Sequence, residues 1–296
     1  MTAMSWLQVR IDLGELGAGP IEQALLDIGA VTIEYSDAGN NPIFEPAPGT
    51  TPLWNNTQIS ALFEDGVTET VIQLEVAKSI APTAMPSMHF AIIEDQNWVA
   101  NWQRDLSPMQ FGERLWICPS GTACPDDKAK VVTIEPGLGF GTGSHPTTRL
   151  CLEWLSQRQL RNKTVLDFGC GSGILGIASL ALGASEVTAV DIDEQALTAT
   201  RENARQNDCL AQLRVLSAEC LEAITSFDLI VANILSSTLI KLEPDFRAYS
   251  RSGADIVLSG ILTSQADEVV RAYEQWIDLS CSAQQDDWVI LTGTAD

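Results

Sequence analysis

The sequence predicts an α/β protein in which a small ferredoxin-like α+β domain precedes a doubly wound domain on a parallel sheet. From residue 164 onward, short apolar runs alternate with helical patterns, as in a doubly wound sheet. Residues 1–95 instead give the order strand, helix, strand, strand, helix, strand. A glycine-rich turn follows the apolar run at 164–168, and a length of 296 residues is enough for two ordinary domains.

The N-terminal elements follow from alternating and helical patterns of apolar residues. Residues 39–53 are rich in Pro, Gly and Asn, which predicts a loop between the second and third strands. No motif in residues 1–95 carries chemistry, so this region is predicted to recognise a partner. The predicted strands are 5–13, 31–35, 58–63 and 89–93, and the predicted helices are 21–28 and 68–80.

A short helix at 95–105 is predicted to join the two domains. Trp98 and Trp102 are four residues apart, so they share one face of that helix and are expected to pack between the domains. The predicted segments are a recognition domain at 1–95, a linker helix at 96–111, and the doubly wound domain at 112–296, which opens with strands at 114–118 and 130–135.

Strands and helices alternate through the C-terminal domain. An irregularity is expected at Pro244, because proline removes a helical hydrogen bond. The last two strands are expected to form a hairpin at the sheet edge. The predicted strands are 164–168, 186–190, 212–216, 227–232, 255–259, 279–283 and 288–292, and the predicted helices are 174–182, 194–207, 236–249 and 263–277.

The turn after residue 168 has the features of a nucleoside site. Gly169, Gly171 and Gly173 let the backbone approach a ligand closely and adopt turns that a Cβ would forbid. The following helix presents free N–H groups at its N-terminus. Asp191, roughly 20 residues further on at a strand end, suits the two hydroxyls of a ribose. The pattern predicts a nucleoside cofactor at the carboxyl edge of the sheet.

The glycine pattern is consistent with two different cofactors. Gly171-Ser-Gly-Ile-Leu-Gly176 matches the dinucleotide pattern G-x-G-x-x-G, which keeps NAD as an alternative. The register disfavours NAD, because Asp167 and Gly169 precede the pattern and a carboxylate beside a pyrophosphate is repulsive. The form D-x-G-x-G-x-G resembles the S-adenosyl-L-methionine (SAM) site of class I methyltransferases. There the ligand carries a cationic amino-acid tail, which an acid near the first turn suits.

The composition bounds the class of protein. A hydrophobic content of 45% supports a globular core, no run approaches the length of a membrane span, and the N-terminus has no secretory pattern. Seven cysteines without a C-x-x-C pattern fit reduced thiols, so a cytoplasmic location is expected.

The charge predicts the kind of partner. The chain has 39 acidic and 17 basic side chains, a net charge of −22, so direct nucleic-acid binding is not expected. Residues 1–95 alone hold 13 acids against Arg10 and Lys78, a net charge of −11. A basic protein is the reasonable complement, although an acidic surface can also simply keep a protein soluble.

A second glycine-rich segment at 135–155 leads into a helix. Ser144 or His145 is placed to cap that helix, and Pro146 suits its first position. His145 could act as a base. Capping or loop packing is favoured, because no carboxylate that would orient the imidazole is evident nearby in the sequence.

The longer motifs are similar to one known family. EPGLGFGTGSHPTT, VLDFGCGSGILGIAS, AVDID and DLIVANIL follow in this order behind an acidic α+β domain. With EDQNWVANW and PMQFGERLWICP, they resemble the PrmA family, the methyltransferases of ribosomal protein L11. The resemblance covers essentially the whole chain, and it implies a class I methyltransferase (Rossmann-like) domain behind the ferredoxin-like one.

The resemblance also implies an activity and a site. It implies methyl transfer from SAM to lysine side chains and the N-terminal α-amine of a basic ribosomal protein, a reaction that requires no metal. It also implies that the N-terminal domain binds this substrate. The implied cofactor contacts are Thr148, Gly169, Asp191 and Asn233, with Asp167, Gly171 and Gly173 in the same loop.

Asn233 is the predicted catalytic residue. It follows the strand at 227–232, at the sheet edge where ligands bind. Its carbonyl oxygen can accept a hydrogen bond from the target amine and hold the nitrogen lone pair toward the methyl group. The alternative is that Asn233 caps the helix that starts near Ser236. An NAD-dependent oxidoreductase and a non-catalytic binding module also remain open at this point.

Overall fold

A computed structural model describes residues 5–14, 16–39, 53–54, 56–64, 66–94, 107–135, 143–221 and 226–296. The chain divides into two compact units, Met1–Asn101 and Trp102–Asp296. The predicted linker helix at 95–105, with Trp98 and Trp102, lies outside the described residues, as does most of the predicted loop at 39–53.

The first unit is a ferredoxin-like sandwich, as predicted. The elements are β1 (Ser5–Asp12), α1 (Ala18–Asp27), β2 (Thr32–Asp37), β3 (Thr57–Phe63), α2 (Glu69–Ile80) and β4 (Ser87–Glu94). The strands pair antiparallel in the order β2-β3-β1-β4, which places β1 and β3 at the centre. Alternate side chains of β3 are buried against the two helices, which is the period of a half-buried strand.

The second unit is a doubly wound α/β domain. Its elements are α3 (Pro146–Ser156), β8 (Thr164–Phe168), α4 (Ile174–Ala181), β9 (Glu186–Asp191), α5 (Glu194–Gln206), β10 (Leu213–Ser217), β11 (Phe227–Asn233), α6 (Ser236–Lys241), α7 (Glu243–Tyr249), β12 (Ser250–Leu262), α8 (Ala266–Tyr273), β13 (Ser280–Gln285) and β14 (Trp288–Thr294). Among the described residues, seven strands lie in the order β10-β9-β8-β11-β12-β14-β13, and only β14 and β13 pair antiparallel to their neighbours.

The central strands are apolar because helices cover both faces of the sheet. The four residues from Leu229 to Ala232 have no solvent exposure, as expected for a parallel strand buried on both sides. Burying these side chains stabilises the domain by about 1.5–3 kcal/mol for each large one. The predicted closing hairpin at the sheet edge is confirmed.

A small three-stranded sheet adjoins this domain. It consists of β5 (Met109–Phe111), β6 (Leu115–Pro119) and β7 (Lys130–Ile134). The linker helix predicted for 96–111 is wrong at its end, because residues 109–111 form a strand. Phe111 is buried in the same apolar cluster as the helices of the second unit, and this packing overrides the local pattern.

Three further elements differ from prediction. The helix predicted at 236–249 is two helices that meet at Leu242, two residues before Pro244, which confirms the expected irregularity. Strand β12 is longer than the predicted 255–259, because pairing with β14 continues it past Gly260 to Leu262, and Ser250 at its other end pairs with Phe227 of β11. The helix predicted at 263–277 begins with a 3₁₀ turn and ends at Tyr273. Across the described part of the chain, no helix has the length and apolarity to cross a membrane.

Candidate active site

A cavity of about 350 Å³ lies at the carboxyl ends of the central strands. Strands β9, β8 and β11 are neighbours in the sheet, so the residues that follow each of them meet at one edge. The described residues that line the cavity are Thr148, Phe168, Gly169, Cys170, Gly171, Ile174, Leu175, Asp191, Ile192, Asn233, Ile234, Leu235 and Thr238.

Five of the seven predicted site residues lie on this wall. Thr148, Gly169, Gly171, Asp191 and Asn233 come from four separate stretches of the chain, and the structure brings them together. The two other predicted residues, Asp167 and Gly173, are absent from the described lining, and both support the loop that forms it.

Asp167 stabilises the glycine turn from its buried side. It is 1% exposed, and its Oδ2 accepts a hydrogen bond of 2.8 Å from the Gly176 N–H. Burial raises the pKa of this carboxyl to about 7, and the nearby Asp191 charge adds to the rise. Asp167 therefore ties strand β8 to the first turn of helix α4.

Two glycines are required by close approach as well as by backbone shape. Gly169 has a φ of +74°, and a Cβ there would lie 2.3 Å from Cγ2 of Ile234. Gly173 has a φ of +79°, and its Cβ would lie 2.8 Å from Cγ2 of Thr200. Any larger residue at either position must displace a neighbour and adopt a left-handed backbone.

Asp191 is tied to the glycine turn and retains acceptor capacity. Its Oδ2 accepts from the Gly171 N–H at 3.0 Å, and its Oδ1 accepts from the Asp193 N–H at 3.0 Å. A carboxylate has about four lone-pair sites, so each oxygen can accept one further hydrogen bond. The two backbone bonds fix the carboxylate at the cavity wall.

Asn233 is tied to Thr148. Its side-chain Nδ2 donates a hydrogen bond of 3.2 Å to Oγ1 of Thr148, which is 1% exposed. The alternative role of Asn233 as a helix cap is wrong, because helix α6 begins after Leu235 and has no side-chain cap.

The residues after Asn233 are held by strand β12. The Ile234 N–H donates to the Ser259 carbonyl at 3.2 Å, and a Cβ on Gly260 would lie 2.4 Å from the Ile234 carbonyl oxygen. Leu235 is 48% exposed although it lines the cavity. The cavity wall next to Asn233 is thus apolar, and strand β12 packs closely against the side that faces away from the cavity.

Helix α3 presents Thr148 from its first turn, and His145 caps it as predicted. Nδ1 of His145 accepts from the Thr147 N–H at 3.4 Å and lies 2.8 Å from Oγ1 of Thr147. Pro146 occupies the first helical position. Burial lowers the pKa of His145, which favours the neutral imidazole that such a cap needs.

The sequence pattern missed most of the apolar wall. Among the missed residues, Ile192 had a usable signal, because it is an apolar residue between Asp191 and Asp193 in a polar turn. It is 89% exposed in the structure. Phe168, Ile174 and Leu175 follow the pattern of any core residue and gave no separate signal. Within the described residues, no group of three or more His, Cys, Asp or Glu could hold a metal ion.

Comparison with known proteins gives one consistent result. The family model of ribosomal protein L11 methyltransferase (PrmA) matches residues 5–296. The chain belongs to this family.

Individual relatives agree with the family match. The chain is 47% identical over 290 residues to the ribosomal protein L11 methyltransferase of Pseudomonas fluorescens strain Pf0-1, covering 98% of this chain and 99% of the relative. A relative from Shewanella sp. strain ANA-3 is 45% identical over 291 residues, with the same two coverages. The crystal structure of a ribosomal protein L11 methylase from Lactobacillus delbrueckii subsp. bulgaricus aligns with a TM-score of 0.59 and 29% identity, covering 64% of this chain and 100% of that one.

Family membership decides between the classes that the sequence left open. The protein is an enzyme, a methyltransferase with SAM as its methyl donor, and its class I methyltransferase fold is confirmed. None of the matches supports the NAD-dependent oxidoreductase.

Proposed function

We propose that this protein transfers methyl groups from SAM to amines of ribosomal protein L11, at lysine side chains and the N-terminal α-amine. The relatives that match almost the whole chain are named for ribosomal protein L11. A ribosomal substrate supports a cytoplasmic location for the reaction. The observation that carries the proposal is the cavity at the carboxyl edge, where one carboxylate and one amide are both held in place by hydrogen bonds.

The cavity residues fit a nucleoside bearing an amino-acid tail. A volume of about 350 Å³ lies within the usual range of small-molecule sites. The remaining acceptor positions of Asp191 suit two ribose hydroxyls, and the exposed side chain of Ile192 offers an apolar surface for a base. Gly169 and Gly171 line the cavity with backbone alone, at φ values of +74° and +54° that side-chain-bearing residues rarely adopt.

The proposed mechanism uses positioning more than acid–base chemistry. SAM supplies a methyl group on a sulfonium, which an amine attacks in line, so orientation is the main contribution required of the protein. Asn233 donates through Nδ2 to Thr148, which leaves its carbonyl oxygen to accept a hydrogen bond from the target amine. That bond would hold the nitrogen lone pair toward the methyl group.

The attacking amine must be neutral. A lysine amine has a pKa of about 10.4 in water, so it is protonated at neutral pH. Transfer to an apolar wall lowers that pKa because the charged form loses its hydration. Ile234 and Leu235, which flank Asn233 on the cavity wall, are placed to remove this hydration.

The N-terminal unit is proposed to recognise the basic substrate. Residues 1–95 carry a net charge of −11 and no catalytic motif. An acidic surface of this kind attracts a basic protein and raises its association rate, with an effect that falls as salt is added. The boundaries 1–95, 96–111 and 112–296 stay a prediction, apart from the strand found at 109–111.

Labelled SAM tests the proposal directly. The protein is incubated with labelled SAM and ribosomal proteins from a strain that lacks this methyltransferase, and the labelled chain is then identified by mass spectrometry. Label on amines of L11 is expected, and the Asn233→Ala variant serves as the matched control. Label confined to a different protein, or SAM binding without any turnover on ribosomal proteins, would refute the proposed substrate.

A further inference from the structure

We propose that His145 is a positioning residue for the cofactor cavity, acting through the first turn of helix α3. The inference rests on the proposed roles of Thr148 and Asn233. His145 is absent from the described cavity lining, so its effect on the reaction must pass through the residues that it holds.

The first link joins the imidazole to the turn that carries Thr148. Nδ1 of His145 lies 2.8 Å from Oγ1 of Thr147 and accepts from the Thr147 N–H. Thr148 is the next residue, and its hydroxyl accepts the hydrogen bond from Asn233. A shift of this turn therefore moves the partner of the proposed catalytic amide.

A second link runs through strand β12. Ser259 has no solvent exposure, and its Oγ lies 3.3 Å from the Thr147 carbonyl oxygen and 3.2 Å from that of Val289, so the two carbonyls share its one proton. The Ser259 backbone carbonyl in turn accepts from the Ile234 N–H. Thr147 thus connects His145 to both sides of Asn233, through Thr148 and through Ile234.

The ring itself is held from the other side by Trp288. The two rings meet edge to face, with centroids 5.3 Å apart and an interplanar angle of 69°. Such a contact restricts the ring orientation in addition to burying area. The hydrogen bonds to Thr147 and the contact with Trp288 together fix the imidazole at the entrance to helix α3.

Only the neutral imidazole can accept the hydrogen bond from the Thr147 N–H, because protonation of Nδ1 removes the accepting lone pair. The titratable groups on helix α3 are Arg149, Cys151 and Glu153, and Asp286 and Asp287 precede Trp288. Arg149 lies over the Phe111 ring, and its Nη1 donates to Sδ of Met109. Burial is the cause that lowers the pKa of His145. The hydrogen bond from the Thr147 N–H to Nδ1 is therefore present at neutral pH and is lost as the pH falls through that lowered pKa.

The test is a double-mutant cycle on SAM affinity, measured by calorimetry on the full chain. His145→Ala is expected to weaken SAM binding about tenfold or more, by the cost of a misplaced binding group. In the Thr148→Val background, His145→Ala is expected to weaken SAM binding little further, because Thr148, through which His145 acts, is already altered. Equal costs in both backgrounds, or unchanged affinity of His145→Ala, would overturn the inference.

His145→Asn is the matched variant, because an Asn oxygen can cap the helix and does not titrate. It is expected to bind SAM like the wild type at pH 8. As the pH falls toward about 5, the wild type should lose affinity relative to this variant. Parallel affinity profiles of the two proteins would contradict the proposal, even if His145→Ala fails to fold. Turnover of the wild type on ribosomal proteins is measured beside these titrations, so a failed function and a failed role of His145 are distinguished.

Discussion

Nδ2 of Asn233 donates a hydrogen bond of 3.2 Å to Oγ1 of Thr148, across 85 residues of sequence. The bond joins the carboxyl end of strand β11 to the first turn of helix α3, and both residues line the same cavity. It fixes the amide so that its carbonyl oxygen remains available as an acceptor. Two motifs that the sequence presents separately therefore act as one unit.

Asn233→Ala is expected to lower kcat by about 10²-fold, because the target amine loses its orienting acceptor. The free energy of unfolding should fall by only about 1 kcal/mol, the net value of a typical hydrogen bond. Single-turnover methylation and thermal melts of the same preparation measure both quantities. Thr148→Val, which removes only the partner hydroxyl, should lose less turnover. Near-normal turnover of folded Asn233→Ala would refute the catalytic role.

Asp191→Ala is expected to weaken SAM binding strongly, since each hydrogen bond to a charged acceptor contributes about 1.5–3 kcal/mol. Some stability should also be lost, because the Gly171 and Asp193 N–H groups lose their acceptor. Calorimetry with SAM gives the affinity. Asp193→Ala is the matched control, because Asp193 caps helix α5 without lining the cavity, and it should bind SAM almost normally. If the two variants bind SAM equally well, Asp191 has another role.

Gly169→Ala is expected to destabilise the protein and to weaken SAM binding, because its Cβ would lie 2.3 Å from Cγ2 of Ile234. Gly121→Ala provides the control. Gly121 has a φ of +79°, close to the +74° of Gly169, but no atom lies within 4 Å of its added Cβ. The two variants share the backbone strain, so their difference in Tm and in SAM affinity isolates the contact. Equal losses in both would show that the Ile234 contact is unimportant.

Asp167 should give the stability a distinctive pH dependence. Burial raises its pKa in the folded protein from the ordinary 3.8 to about 7. The folded state therefore retains a proton that the unfolded state releases. The contribution of Asp167 to the free energy of unfolding is complete below the unfolded pKa and is lost as the pH rises through about 7. Urea unfolding from pH 4 to pH 8, about the span of these two pKa values, should show a fall that Asp167→Asn removes. An identical pH profile in the variant would contradict this assignment.

The fragment Trp102–Asp296 is expected to bind SAM but to lose methylation of ribosomal protein L11. It retains the strand Met109–Phe111, which packs in the core of the second unit, and it lacks the acidic unit. For the intact enzyme, salt should raise KM, because exposed charges are screened beyond about 8 Å at physiological ionic strength. SAM affinity at each salt concentration is the control. A fragment that methylates L11 as well as the whole chain would show that residues 1–95 have a different role.

The sequence alone determined the elements that depend on neighbouring residues. The glycine turn, Asp191 at the next strand end and the cap at His145 each rest on spacings of a few residues or one βαβ unit, so local chemistry specifies them. Alternating and helical patterns of apolar residues likewise predicted both domains and the order of their elements. Five of the seven predicted site residues accordingly lie on one cavity wall.

Tertiary structure decided what depends on distant parts of the chain. Residues 109–111 form a strand because β6 pairs with them and the core of the second unit accepts Phe111, neither of which their own pattern shows. Asp167 supports the loop from below because the side chains of a strand alternate between its two faces. The Asn233–Thr148 bond depends on how helix α3 packs beside strand β11, a register set by burial across the whole domain.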